Sequence, residues 1–255
     1  MATNRANGSI YTNIKDNIAT VEFGHPASNS FVAEMLDRLT AEFDKLSDND
    51  SISVIVLKSE GDRAFCAGAS FDELMQISDL KEGKVFFSGF ANVINAMRSC
   101  KKVIVGRVQG KTVGGGVGLA SACDYVFATI NAAIRLSELT IGIAPLVIEP
   151  AVQRKIGTAA ISEMSLSPTE WKNAYWAQEK GLFSKVFDNI KKMDEELHFF
   201  TEKLASYNPM ALEEWKRVLW KGTSDWETLL TERAAITGKL VLSEFTKKAL
   251  SNFKK

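Results

Sequence analysis

The chain has 255 residues, of which 45% are hydrophobic, so it can bury a sizeable core within about one domain and an appendage. Lys+Arg and Asp+Glu both number 31, which leaves no overall positive field to attract nucleic acid or an anionic membrane surface. The opening residues have no apolar signal core, and no apolar stretch reaches membrane-spanning length. We therefore expect a cytoplasmic protein without a nucleic-acid or membrane partner.

The cysteines and histidines give no sign of a disulfide framework or a metal site. Three cysteines at unrelated spacings are typical of a reduced intracellular chain. Two isolated histidines, His25 and His198, lie outside any Cys/His cluster, so we expect no metal. Neither histidine sits in a motif that would orient it towards Cys66, which argues against a Cys–His nucleophile and for a small buried side chain.

Short β-branched runs alternate with helical patterns over the first part of the chain. Residues 18–23, 52–58, 103–108 and 125–128 are predicted strands. Because these strands are almost wholly apolar and are separated by helices, the pattern favours an α/β fold with a sheet covered on both faces.

Two amphipathic helices are predicted between these strands. The first presents Val32, Leu36, Leu39, Phe43 and Leu46 on one face, with Ser30 as its predicted N-cap. The second precedes the strand at 103–108, and its apolar face carries Phe86, Phe90, Val93, Ile94 and Met97.

The periodicity changes near residue 190. Strand signals stop there, and three helical patterns follow at about 190–206, 209–221 and 225–250. We therefore divide the chain into a core at residues 1–190 and a C-terminal helical region at 191–255, which we expect to act in oligomerisation or as a lid.

A glycine cluster runs from Gly110 to Gly118, after a predicted buried strand and before a helix of small residues. The glycine that a P-loop requires is missing at Val105, and the dinucleotide pattern G-x-G-x-x-G does not fit either. One interpretation is that these glycines only allow a tight turn or close helix packing. Alternatively, the corner presents free backbone N–H groups at a helix N-terminus, aimed at negative charge.

A second loop, R-A-F-C-A-G-A-S-F-D-E-L at 63–74, also follows a buried strand and precedes a helix. Together with the later G-G-G corner, it resembles the paired signature of the crotonase superfamily of enoyl-CoA hydratases and isomerases. The resemblance runs from about residue 12 to the C-terminus. It implies a ββα spiral core covered by helices, followed by the helical appendage.

The resemblance also implies a substrate and several contacts. An acyl-CoA thioester would be bound with its carbonyl oxygen on the N–H groups of Ala69 and Gly115. No separate cofactor is expected, because coenzyme A is part of the substrate. Further substrate contacts are expected from the two loops, from the helix after the first loop and from the C-terminus: Cys66, Ala67, Gly68, Leu74, Met75, Gly114 and Lys248. For Leu74 and Met75 core packing is the alternative, and for Lys248 it is a solvated helix face.

Glu138 lies in the motif R-L-S-E-L-T-I-G-I-A-P and matches the superfamily glutamate that moves a proton at the α carbon. The alternative is that Glu138 is an exposed loop residue, since most glutamates in proteins are exposed. The apolar surroundings in sequence favour a desolvated carboxylate with a raised pKa, as such a base requires. We therefore assign Glu138 as the expected proton-transfer group.

Gly118 stands where two-glutamate hydratases of the superfamily carry their other acid. Three motifs are similar to those of the branch that includes methylglutaconyl-CoA hydratases: G-G-G-V-G-L, R-L-S-E and I-G-I-A-P-x-x-I-x-P. Glu149, before Pro150 at a predicted helix start, either is a charge partner of that helix terminus or substitutes for the missing acid. Arg107 and Lys111 are surface cations or meet the carboxylate of a dicarboxylic acyl group.

The resemblance leads us to expect a hydratase that adds water to an α,β-unsaturated acyl-CoA or removes it. The alternatives are a double-bond isomerase that uses Glu138 alone and an inactive acyl-CoA binder. The superfamily resemblance implies a homotrimer or a dimer of trimers. Apolar side chains on the C-terminal helices, such as Trp215 and Trp226, also predict burial against the core or a neighbour.

Overall fold

The computed structural model describes residues 7–252, which form two sheets surrounded by helices. Within these residues the larger sheet has the strand order β1-β2-β3-β5-β7-β10. Its strands are β1 (Ser9–Lys15), β2 (Ile18–Gly24), β3 (Val54–Ser59), β5 (Val103–Val108), β7 (Tyr125–Thr129) and β10 (Lys185–Phe187). Every neighbouring pair is parallel except the β1–β2 hairpin.

The smaller sheet has the order β4-β6-β8-β9. Its strands are only two or three residues long: β4 (Ala64–Cys66), β6 (Lys111–Val113), β8 (Ala133–Arg135) and β9 (Lys172–Asn173). The pairs β4–β6 and β6–β8 are parallel, whereas β8–β9 is antiparallel.

The helices cover these sheets and fill the C-terminal part of the described chain. They are α1 (Ala33–Ser47), α2 (Phe71–Gln76), α3 (Leu80–Ser99), α4 (Gly115–Ala122), α5 (Glu149–Leu166), α6 (Ala174–Glu179), α7 (Ile190–Ala205), α8 (Pro209–Leu219), α9 (Trp226–Val241) and α10 (Glu244–Asn252). A short 3-10 helix spans Glu138–Ile141. No helix of residues 7–252 has both the length and the apolar run needed to cross a membrane.

The chain repeats one unit: a strand of the large sheet, a short strand of the small sheet, then a helix. β3 leads to β4 and α2, β5 leads to β6 and α4, and β7 leads to β8 and the 3-10 helix. Because the large-sheet strands are parallel, each unit is stacked on the previous one in the same direction. The result is the ββα spiral that the sequence predicted.

All four predicted strands and both predicted core helices are present, with two differences in the helices and several strands that were not predicted. The prediction that Ser30 caps α1 is wrong, because Val32 takes the N-cap position and no side chain caps the helix. The predicted helix at 225–250 is two helices, since Ser243 accepts a hydrogen bond from the Thr246 N–H and starts α10. The large-sheet strands β1 and β10 and the short strands β4, β6, β8 and β9 were not predicted.

The chain after residue 190 is helical as predicted, up to the last described residue. It shares the main hydrophobic cluster through Trp220, Trp226 and Leu230, and α9 packs along α3. Residues 1–6 and 253–255, which belong to the predicted core and C-terminal regions, lie outside the described residues. Met210 and Trp215 on α8 remain 72% and 59% exposed, and the expected homo-oligomer stays a prediction.

A buried ion pair attaches α8 to the core. Lys216 is only 2% exposed, lies 3.1 Å from Asp124, and donates to the carbonyl oxygens of Met97 and Lys102. The other Asp124 oxygen accepts a hydrogen bond from Trp220 Nε1 at 2.7 Å. Every charge in this network is therefore paired, as burial requires.

Asp124→Ala tests this attachment. Because the substitution leaves Lys216 buried without its counter-charge, we expect the free energy of unfolding to fall by about 3–5 kcal/mol in chemical denaturation. The control is Glu195→Ala, which removes an exposed pair with Lys191 at 3.9 Å and should cost less than about 1 kcal/mol. Equal losses in the two variants would contradict the argument.

Candidate active site

Three loops meet at one edge of the small sheet. They follow β4, β6 and β8, which are adjacent and parallel, with Cys66 opposite Thr112 and Val113 opposite Arg135. The carboxyl ends of adjacent parallel strands lie side by side, and ligand sites in α/β proteins commonly form at such edges. The pairing therefore brings together the loop at 67–70, the glycine corner and Glu138.

The first loop leaves one backbone donor unused. The N–H groups of Ala67 and Ser70 donate to the carbonyls of Ser28 and Phe31, and the Gly68 N–H donates to Cys66 Sγ. Among residues 7–252, nothing accepts a hydrogen bond from the Ala69 N–H. Leaving a buried or half-buried N–H without an acceptor costs free energy, so this N–H is suited to donate to a ligand.

The glycine corner supplies a second unused donor. Gly114 has φ of 51°, which favours glycine, and its N–H donates to the Arg135 carbonyl at 3.0 Å. Gly115 begins α4, so its N–H has no acceptor within the helix, and none elsewhere in the described chain. A Cβ built on Gly115 would lie 2.2 Å from the Phe90 ring, so glycine is required there.

The two donor loops are in contact. A Cβ built on Gly68 would lie 3.2 Å from the Val113 carbonyl oxygen and 3.9 Å from the Gly115 nitrogen. Gly68 also has φ of 92°, a region that other residues rarely adopt. The glycine therefore permits both the turn and the close approach that set the Ala69 and Gly115 donors near one point.

Glu138 lies beside this point with an unsatisfied carboxylate. Its Oε2 is shut off from solvent and has no hydrogen-bond partner among the described residues. Burial raises the pKa of this carboxyl to about 7, although backbone N–H groups and the Arg135 charge favour the ionised form. A Cβ on Gly114 would lie 2.9 Å from Glu138 Oε1, so the glycine also leaves room for the carboxylate.

These groups line one cleft, whose non-protein space is about 600 Å³ including the part open to solvent. Its walls are mostly apolar and come from both loops, α3, the segment before α5, and α9. The lining residues are Ala67, Gly68, Ala69, Phe71, Leu74, Phe87, Phe90, Val113, Gly114, Gly115, Ser137, Glu138, Ile141, Ile143, Ala144, Pro145, Leu146, Val147, Ile148 and Thr237. Among residues 7–252, Glu138 is the only charged side chain in this lining.

Ile148 fills the space into which a side chain at position 118 would extend. A Cβ built on Gly118 would lie 2.5 Å from Ile148 Cγ2 and 3.6 Å from Ile94 Cδ1. Ile148 itself lines the cleft, whereas Gly118 lies behind it. A side chain at position 118 can therefore enter only if Ile148 becomes smaller or moves.

Glu149 is not placed in the cleft. It begins α5, as predicted, and its Oε2 pairs with Arg233, which also donates to the Leu146 carbonyl. Glu149 and Arg233 line a separate surface pocket. This position matches a charge partner at a helix terminus, with Arg233 in addition, and Glu149 is not part of the cleft lining.

The two candidate cations for a substrate carboxylate also lie elsewhere. Arg107 forms a bidentate pair with Asp194 at 2.7 and 2.9 Å on the outer side of the large sheet. Lys111 Nζ lies 5.1 Å from the centroid of the Trp171 ring, a cation–π contact. Neither lines the cleft.

The remaining predicted contacts divide between the cleft and its surroundings. Ala67, Gly68, Gly114 and Leu74 are in the lining, whereas Met75 packs on the core. Outside the lining, Cys66 is buried beneath its loop, and burial raises the pKa of its thiol to about 12, so the thiol is not ionised near neutral pH. Lys248 is exposed on α10.

The sequence analysis named seven of the twenty lining residues as site residues, and Phe90, Ile148 and Thr237 are among those it missed. Phe90 was assigned to core packing, and it also contacts the Gly115 corner. Ile148 lay in a quoted motif but was not assigned to the site. Thr237 of α9 lies about 100 residues after Glu138 along the chain. For Thr237 the only sequence signal was a small polar residue within an apolar helical pattern.

The fold and the cleft place a buried carboxyl beside two backbone N–H groups that have no acceptor in the described chain. The family model for enoyl-CoA hydratase/isomerase matches residues 13–254. The chain belongs to the enoyl-CoA hydratase/isomerase family, as the sequence predicted, and to the crotonase superfamily. The narrower expectation of the methylglutaconyl-CoA hydratase-like branch stays a prediction.

Individual relatives differ in the reaction their names describe. The chain is 31% identical to 2,3-dehydroadipyl-CoA hydratase of Escherichia coli K12 over 194 residues, 76% of this chain and 74% of that protein. It is 26% identical to the peroxisomal Delta(3,5)-Delta(2,4)-dienoyl-CoA isomerase of Arabidopsis thaliana over 186 residues, 68% of this chain and 66% of that protein. The structure of an enoyl-CoA hydratase from Bacillus halodurans has the same fold, with a TM-score of 0.87 at 22% identity, over 95% of this chain and 99% of that one.

The raised pKa of Glu138 predicts a pH dependence of stability. Since the native carboxyl holds its proton up to about pH 7 and the unfolded one releases it near 4.5, the native state binds more protons between these values. Stability should therefore fall as pH rises through this window, by up to about 3 kcal/mol. Denaturant unfolding at a series of pH values measures the fall, and Glu138→Gln should remove that part of it. If the free energy of unfolding of Glu138→Gln depended on pH as steeply as that of the wild type, Glu138 would not be the source of this pH dependence.

Proposed function

We propose that the chain is an enoyl-CoA double-bond isomerase in which Glu138 alone carries the proton. The observation that supports this most directly is a single buried, unpartnered carboxyl, with a pKa of about 7, beside two unused backbone N–H groups. A group with this pKa can both accept and donate a proton near neutral pH.

The Ala69 and Gly115 N–H groups would hold the thioester oxygen. Donors aimed at an oxygen where negative charge develops typically contribute about 3 kcal/mol each to the barrier. They cost no reorganisation during the reaction, because the strand pairing and the α4 N-terminus fix them beforehand.

In the proposed step Glu138 removes a proton from the α carbon of a β,γ-unsaturated acyl-CoA. The C–H electron pair forms the enolate, whose charge lies on the thioester oxygen. Glu138 then returns the proton to the γ carbon, and the double bond moves to the α,β position. Atoms and charge balance without water or a second acid.

Water addition is the second candidate, and the names of relatives such as 2,3-dehydroadipyl-CoA hydratase favour it. Hydration requires a water molecule to be held and deprotonated while the α carbon gains a proton. Where a second acid would help, this cleft has Ile148. Glu138 would have to manage both the water and the α carbon.

The first test removes the proton carrier. Glu138→Gln should lower kcat/KM for 3-hexenoyl-CoA by about 1,000-fold while acyl-CoA affinity changes little, because the shape of the cleft is kept. Formation of the conjugated thioester, followed by absorbance and mass spectrometry, measures the rate. Glu149→Gln is the matched control and should stay within about threefold. Wild-type rates in Glu138→Gln, or an equal loss in Glu149→Gln, would exclude the proposed role.

The second test separates isomerisation from hydration. The wild type should isomerise 3-hexenoyl-CoA at least about 100-fold faster than it hydrates crotonyl-CoA, since no second acid orients water. Gly118→Glu combined with Ile148→Ala should raise hydration, whereas Ile148→Ala alone should not. If the wild type hydrates crotonyl-CoA as fast as it isomerises, the hydratase is the correct assignment.

A further inference from the structure

The cleft has an open end and a deep end that differ in exposure. Phe71 at the opening is 40% exposed. Phe87, Phe90, Ile148 and Thr237 in the same lining are 6%, 3%, 4% and 2% exposed. A ligand that enters beside Phe71 therefore places its distal part among these buried side chains.

Thr237 reaches the deep end because α3 and α9 cross at two glycines. A Cβ on Gly83 would lie 2.7 Å from the Gly238 carbonyl oxygen, and a Cβ on Gly238 would lie 2.6 Å from the Lys84 nitrogen. Only glycines allow backbones this close. Thr237 directly precedes one glycine, and Phe87 lies one helical turn after the other, so both side chains stand at the crossing.

The Thr237 hydroxyl is already engaged. It donates to the Arg233 carbonyl at 2.9 Å within its own helix. Its oxygen keeps only acceptor capacity, and the methyl group gives this wall an apolar, compact surface. The residue therefore acts on a ligand chiefly through its volume.

The deep end also lacks any positive charge. Within residues 7–252 no Lys, Arg or His lines the cleft. Arg135 lies near enough to favour ionisation of Glu138, but its guanidinium is stacked over Trp171, 4.5 Å from the ring centroid. A carboxylate at the end of an acyl chain would therefore be buried without a partner, which is costly.

We infer that Thr237 is a specificity-determining residue that ends the acyl pocket, and that this pocket accepts an uncharged acyl chain and rejects a dicarboxylic one. The inference rests on the proposed acyl-CoA site but not on the isomerase reaction. It distinguishes this chain from its relative 2,3-dehydroadipyl-CoA hydratase, whose named substrate carries a second carboxylate.

The charge preference can be measured without turnover. Titration calorimetry compares hexanoyl-CoA with adipyl-CoA, two unreactive thioesters of equal chain length that differ in the terminal carboxylate. We expect adipyl-CoA to bind at least about 30-fold more weakly. Equal or tighter binding of adipyl-CoA would overturn the inference. A preference for hexanoyl-CoA together with no isomerisation of any enoyl-CoA would instead reject only the proposed function.

The role of Thr237 is tested by changing its volume in both directions. Thr237→Phe should reduce the ratio of hexanoyl-CoA to acetyl-CoA affinity by at least about tenfold, because the ring fills the end of the pocket. Thr237→Ala should raise the affinity for octanoyl-CoA relative to hexanoyl-CoA, and it keeps the test decisive if the phenylalanine variant does not fold. Ile236→Phe adds the same ring at a neighbouring position that is 51% exposed, and it should leave both ratios unchanged. Unchanged ratios in Thr237→Ala, or the same shift in Ile236→Phe, would overturn the assignment.

Discussion

The parallel pairing of β4, β6 and β8 is the constraint on which the rest of the site depends. These strands are very short, yet their register sets Cys66 opposite Thr112 and Val113 opposite Arg135. The loops that follow these strands therefore begin at the same edge of the sheet. The Ala69 donor, the Gly115 donor and Glu138 span about 70 residues of the chain, and three adjacent strand ends bring them together. The large sheet supports this arrangement because its parallel order stacks the ββα units in one direction.

The polar groups of this site lower the stability of the folded protein. The Glu138 carboxylate has a buried oxygen without a partner, and two backbone N–H groups have no acceptor in the described chain. Such groups cost free energy in the folded protein. Glycines at 68, 114 and 115 hold the arrangement open, since a side chain at any of them would meet backbone, the carboxylate or the Phe90 ring. Burial of the hydrophobic core offsets this cost, and the charges buried in that core, such as Lys216 and Asp124, are paired. Unsatisfied polar groups and perturbed pKa values in a cleft are typical of functional sites.

Much of this could be predicted from the sequence, and the misses have physical reasons. Four strands of the large sheet, β2, β3, β5 and β7, were found because short runs rich in apolar and β-branched residues give a clear signal. Strands of two or three residues, such as β8 and β9, are too short to show any periodicity. Ala69, Gly115 and Glu138 were found as motifs, and the structure brings all three into one cleft. The partner of Glu149 could not be found this way, because Arg233 lies 84 residues later in the chain. The contact between Gly118 and Ile148 was hidden for the same reason, since only the folded chain places them together.

Overall similarity does not decide which reaction such a cleft performs. This chain is about as similar to a named hydratase as to a named isomerase, at 31% and 26% identity. The proposed carbonyl donors are backbone groups, which do not depend on a particular side chain, so they do not by themselves select the reaction. The reaction depends instead on the few side chains that can move a proton or hold water. Here glycine at 118 and isoleucine at 148 act as one unit, because the absence of a side chain at the first is what makes room for the second. This pair makes that wall of the cleft apolar, and Glu138 is the only ionisable side chain in the described lining.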